Sequence, residues 1–143
     1  MKKILLCLFT GLVLIGCQAR HLSVQSQYLN RSDLASFYID TPDPHLRFPR
    51  IGKQLLVQWC FPRSYASYCD LHLKITIRFA DRSEMVETVL INALQGHYLY
   101  QVVDEEYVSR GGIRTFKVEA IGNGQVLDTW YHQLWVDLIQ LPR

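Results

Sequence analysis

Between Leu71 and Phe79 the chain reads LHLKITIRF, with an apolar residue at every second position. Leu71, Leu73, Ile75, Ile77 and Phe79 fall on one side, while His72, Lys74, Thr76 and Arg78 fall on the other. A period of two belongs to an extended chain, whose successive side chains point to opposite faces; a helix repeats at 3.6. The stretch is therefore a strand with one dry face and one wet face. A single strand or hairpin does not stand alone in water, so further strands must cover the dry face.

Those partners are legible on both sides. QLLVQWCFP, Gln54 to Pro62, puts Leu55, Val57 and Trp59 on one face, and EMVETVLI after the turn ADRS completes a hairpin with Leu71–Phe79. HYLYQVV, RTFKVEAI and the long run VLDTWYHQLWVDLIQL supply three more strands, the last two joined by Gly122, Asn123 and Gly124, a strong hairpin signal. The pattern of the last run slips near His132 and Gln133, which predicts a bulge there. A short strand at Phe37 to Ile39 runs into Pro42, Pro44 and Pro49, which suits an edge and an extended crossing. DEEYVSRGG reads as a polar loop. The sum is an all-β chain: one antiparallel sandwich of about seven strands, with no amphipathic helix.

The amino terminus follows a different logic. Lys2 and Lys3 precede an apolar run from Ile4 to Ile15, about a dozen residues, where a helical span needs roughly 20. The chain turns polar directly after Cys17, so a cleaved export signal is the better reading. The box Leu14-Ile15-Gly16-Cys17 resembles the lipobox of bacterial lipoprotein precursors. That resemblance implies cleavage before Cys17, acyl chains on its thiol and usually on the new amino terminus, and attachment to the cell envelope membrane. Two or three acyl chains anchor stably where one does not, at about 0.8 kcal/mol per buried CH₂. Gln18 in place of Asp implies, by the same resemblance, onward sorting to the outer membrane of a Gram-negative cell.

The expected organisation is therefore a signal peptide over 1–16, a lipidated amino terminus and flexible tether over 17–33, and a β-sandwich over 34–143. Lys2 and Lys3 leave with the signal, which brings the 15 basic residues level with the 13 acidic ones. A near-neutral chain lacks the basic footprint of a nucleic-acid binder. Export places Cys60 and Cys69 in an oxidising compartment, where they are expected to pair, closing a short loop worth about 2 to 3 kcal/mol.

LLVQWCFP is also similar to the second strand of fibronectin type III and related immunoglobulin-like modules, with Trp59 as the core indole. RTFKVEAIGNGQ is similar to their sixth strand and final hairpin, although Phe116 stands where those modules commonly carry a tyrosine. The resemblance implies an immunoglobulin-like sandwich.

Catalytic signatures are missing: the chain has no GxSxG, HExxH, phosphate-binding loop or dinucleotide fingerprint. His21, His45, His72, His97 and His132 are scattered singly, and Asp128, His132 and Asp137 are spaced too widely along one strand for a relay. No enzyme activity, metal or cofactor is expected. Tyr65 and Tyr68 beside the cysteines, and the acidic run Asp104, Glu105 and Glu106, are the candidate partner-binding residues. The expected role is a protein-binding or assembly module of the envelope. The alternatives are an inhibitor of a host or rival enzyme such as lysozyme, inserting Asp104 to Tyr107, and an accessory subunit of a secretion or surface machine.

Overall fold

The computed structural model describes residues 20–39 and 42–137. Among these residues seven strands form two sheets: β1 (Leu22–Leu29), β2 (Gly52–Cys60) and β5 (Gln95–Val103) in the order β1-β2-β5, and β3 (His72–Phe79), β4 (Glu84–Leu90), β6 (Ile113–Gly122) and β7 (Gln125–Tyr131) in the order β4-β3-β6-β7. All pairings are antiparallel.

The core lies between the sheets, where the alternation places it. Leu73, Ile75, Ile77 and Phe79 on β3 meet Leu55, Val57 and Trp59 on β2, with Phe116, Val118 and Ala120 from β6. Trp59 is the core indole expected of it, and its Nε1 donates to the Ala93 carbonyl at 2.9 Å. Gly96 sits opposite Trp59 in register because a side chain there would collide with the ring: an added Cβ falls 2.6 Å from Cζ2.

Several local readings need correction. The tether expected over 17–33 is occupied from Leu22 to Leu29 by β1, paired along its whole length with β2, so the sandwich begins well before residue 34. Only Leu22 and Val24 of β1 are buried, and two apolar residues carry too little periodicity to announce a strand. The expected strand at Phe37 to Ile39 is instead part of a one-turn helix, α1 (Ala35–Ile39), and a second turn, α2 (Pro44–Arg47), follows before β2.

The expected loop after Val103 is a third helix, α3 (Asp104–Arg110), with three carboxylates in its first turn, Arg110 in its last and Gly111 closing it in the left-handed region. The last strand stops at Tyr131, and its register shift falls between Ala120 and Ile121 of β6, not near His132. Residues 132–137 fold back over β6 and β3, where the Arg78 guanidinium lies 3.9 Å from the Trp135 ring centroid and donates to the Val136 carbonyl at 2.6 Å. That cation–π contact and hydrogen bond offset the loss of the strand ladder. The expected continuation to Leu141 lies outside the described residues, as do the signal peptide and Cys17.

Antiparallel order gives the sandwich two distinct ends. β1 starts, β2 stops and β3 starts at the near end, together with residues 61–71, 91–94 and 122–124. Residues 30–51, 80–83, 104–112 and 132–137 gather at the far end.

Candidate functional site

Tyr65 and Tyr68 stand at the near end, in a 3₁₀ turn (Arg63–Ser67) and just after it. Tyr65 stacks on Phe61 at 5.2 Å between centroids and meets Tyr68 edge-on at 5.8 Å. The Tyr65 hydroxyl donates to the Leu127 carbonyl at 3.3 Å, and burial first, then the Asp128 charge, raises its pKa. Both rings pack against the core, so they close the open end of the sandwich and do not form a free ledge.

Asp104, Glu105 and Glu106 belong to the far end, so the two candidate groups make no common site. Asp104 pairs with Arg50 at 3.7 Å and Glu106 with Arg110 at 3.4 Å, and the Asp104 N–H donates to the Ile51 carbonyl at 2.8 Å. These exposed pairs contribute little stability. Asp104 to Tyr107 is thus an exposed helical turn tied to Arg50 and Ile51, where an irregular loop was expected.

Cys60 and Cys69 are both free and exposed, which corrects the expected disulfide. Cys60 points outward from the three-stranded sheet, at the end of the Leu56, Gln58, Cys60 alternation. Cys69 is drawn to the other sheet, where its N–H donates to the Asn123 Oδ1 at 3.3 Å while the Asn123 N–H donates to the Asp70 carboxylate. The eight residues between Cys60 and Cys69 cross from one sheet to the other, which separates the thiols.

The histidines are equally dispersed. His72 opens β3 at the near end and His132 follows β7 at the far end, so the two are not neighbours. His132 Nδ1 accepts from the Leu134 N–H at 3.3 Å, and Asp137 accepts from the Trp135 indole at 2.9 Å, which leaves no relay through Asp128. Among the described residues no three of His, Cys, Asp or Glu converge as a metal would require. No helix among them is long and apolar enough to cross a membrane.

Two surfaces stand out that the candidate residues do not include. The first is the excursion at the far end between β1 and β2, where Phe37, Tyr38, Ile39, Phe48 and Ile51 are 45%, 74%, 68%, 84% and 57% exposed. Exposed apolar side chains gathered in one segment make it a candidate interaction surface. Its sequence signal was the cluster of aromatic residues among three prolines, which reads equally well as a strand and crossing.

The second is the outward face of the three-stranded sheet, with two shallow depressions of about 400 and 270 Å³. Arg20, His21, Cys60 and His97 line the larger, at the near end. Gln25, Gln27, Gln54, Leu56 and Leu99 line the smaller. The chain matches no family model, no curated protein and no solved structure.

Proposed function

We propose that the protein is a lipid-anchored lipoprotein of the cell envelope, held in the outer membrane through acylated Cys17, whose immunoglobulin-like sandwich serves as a protein-binding or assembly module. The observation that carries this reading is the position of the apolar excursion relative to the anchor. Only Gln18, Ala19, Arg20 and His21 lie between Cys17 and the first residue of β1, so an acylated Cys17 holds the near end against the bilayer. The excursion with Phe37, Tyr38 and Phe48 then faces away from it, roughly 26 Å along β1 at about 3.3 Å per residue.

Charge distribution agrees with that orientation. Among the described residues, the segments at the near end carry Arg20 and Arg63 with a single carboxylate, Asp70, whereas those at the far end carry seven carboxylates, Asp33, Asp43, Asp81, Asp104, Glu105, Glu106 and Asp137, against five arginines, Arg31, Arg47, Arg50, Arg82 and Arg110. The near end is thus slightly positive and the far end slightly negative, the sense that suits an anionic headgroup surface beside the near end. The sheet orders β1-β2-β5 and β4-β3-β6-β7 support the immunoglobulin and fibronectin type III-like assignment, with QLLVQWC as second strand and IRTFKVEAIG as sixth.

Photo-crosslinking in intact cells tests the role. A crosslinking side chain placed at Tyr38 or Phe48 should yield one defined protein adduct, and the same group at Arg63 should not. Absence of adducts from Tyr38 and Phe48, or the same adduct from Arg63, would refute the orientation.

A further inference from the structure

The two outward faces of the sandwich differ sharply in chemistry. The four-stranded sheet turns Lys74, Arg78, Glu84, Lys117 and Glu119 outward, a face of mixed charge partly covered by residues 132–137. The three-stranded sheet has no Asp, Glu, Lys or Arg anywhere in residues 23–27, 54–60 or 95–101. Its outward positions form cross-strand rows: Gln27, Gln54 and Gln101; then Gln25, Leu56 and Leu99; then Ser23, Gln58 and His97.

The first row is internally ordered. Gln101 Nε2 donates to Gln54 Oε1 at 2.9 Å, and Gln54 Nε2 donates to Gln27 Oε1 at 3.2 Å. Both bonds run in one direction across all three strands, so each amide is fixed in orientation and still presents a remaining donor and acceptor to solvent. Beside it Leu56 and Leu99 form an apolar pair next to Gln25, and Leu99 is 45% exposed. The result is a strip of fixed amides flanking a strip of aliphatic surface, repeating at the strand spacing of about 4.8 Å.

We propose that this face is a binding site for an uncharged glycan chain lying across the strands. A pyranose has an edge of hydroxyls that donate and accept, and a C–H face that is apolar; the amide row serves the first and Leu56 with Leu99 the second. The strand spacing is comparable to the length of one sugar unit. Arg20 stands at the near-end rim of the face, but the three rows themselves hold no Asp, Glu, Lys or Arg to pair with a charged polymer. A second copy of the chain is a poor occupant, because a face about 14 Å wide and 23 Å long covers about 300 Å², against roughly 800 Å² per partner in a stable interface. The site is shallow, so binding is weak, in the millimolar range.

The test is titration of the full ¹⁵N-labelled chain, in a zwitterionic detergent free of sugar headgroups, with chitotetraose, cellotetraose and trigalacturonate. At least one neutral tetrasaccharide should shift the side-chain amide resonances of Gln27, Gln54 and Gln101, and trigalacturonate should not. The Gln54→Ala/Gln101→Ala double variant should weaken the effect at least tenfold while its backbone spectrum stays native. Should that variant not fold, Gln27→Glu at the exposed edge should weaken it in the same direction. Absence of shifts with both neutral sugars, equal shifts with trigalacturonate, or full binding by the folded variant overturns the proposal. Shifts that appear with protein concentration alone overturn it in favour of a second copy.

Discussion

The hydroxyl of Tyr98 on β5 donates to the carboxylate of Glu87 on β4, joining the edges of two sheets that share no backbone ladder. One residue pair further along, the Tyr100 hydroxyl lies 3.6 Å from the Met85 sulfur. The seam between the sheets is closed on this side by phenols, where the rest of the core packs aliphatic side chains with Trp59, Phe61, Phe79 and Phe116.

That seam is sensitive to alkali. Tyr98 is pushed up to about 12, first by its hydrogen bond to Glu87, and Tyr100 to about 12, first by burial. Both folded values lie above the ordinary 10.0, so the stability they contribute is complete below pH 10 and drains away as pH rises through 12. The melting temperature should fall steeply over that window. Tyr98→Phe should be less stable by about 1 to 2 kcal/mol at neutral pH, since Glu87 loses its partner, and its alkaline decline should be shallower. Urea unfolding at pH 7 and a series of thermal melts from pH 9 to about 12 measure both effects.

Gly96 is a packing requirement. Its Cβ in Gly96→Ala would meet the Trp59 ring at 2.6 Å, with the indole fixed by Ala93. The variant should lose about 1 to 3 kcal/mol and change the tryptophan near-ultraviolet signal. Gly124→Ala, with open space around its Cβ but a φ of +74°, should lose only about 1 kcal/mol, through backbone strain alone. Denaturant unfolding of the two variants side by side separates clash from strain.

The two free thiols make a further prediction. Native protein should titrate with two equivalents of a thiol reagent at Cys60 and Cys69, both exposed. The Cys60→Ser/Cys69→Ser variant should match the parent within about 0.5 kcal/mol. A loss near 2 to 3 kcal/mol, the value for a short closed loop, would mean that the bond forms.

Much of the architecture was legible because β2, β3 and β6 alternate apolar and polar residues, while β4 and β5 declare themselves by β-branched and aromatic residues between turn signals. β1 did not, because Ser26 and Tyr28 occupy its inward positions beyond Val24 and the strand is held mainly by its ladder to β2. α1 and α3 span five and seven residues, too short for a 3.6 period to register. In α3 the usable signal was electrostatic, carboxylates first and Arg110 last before Gly111. The surfaces were the least legible. Tyr65 and Tyr68 read in sequence either as a binding ledge or as the cover of an open sandwich end, and their rings pack against the core, while the glutamine row becomes visible only when register brings residues 27, 54 and 101 together.

The orientation of the domain depends on what happens at Cys17, and intact-mass analysis of the protein purified from its own cells decides it. The account requires a chain beginning at Cys17 and heavier than its sequence by the mass of two or three acyl chains, with the modification lost in Cys17→Ser. An unmodified chain, or one beginning at any other residue, would contradict it.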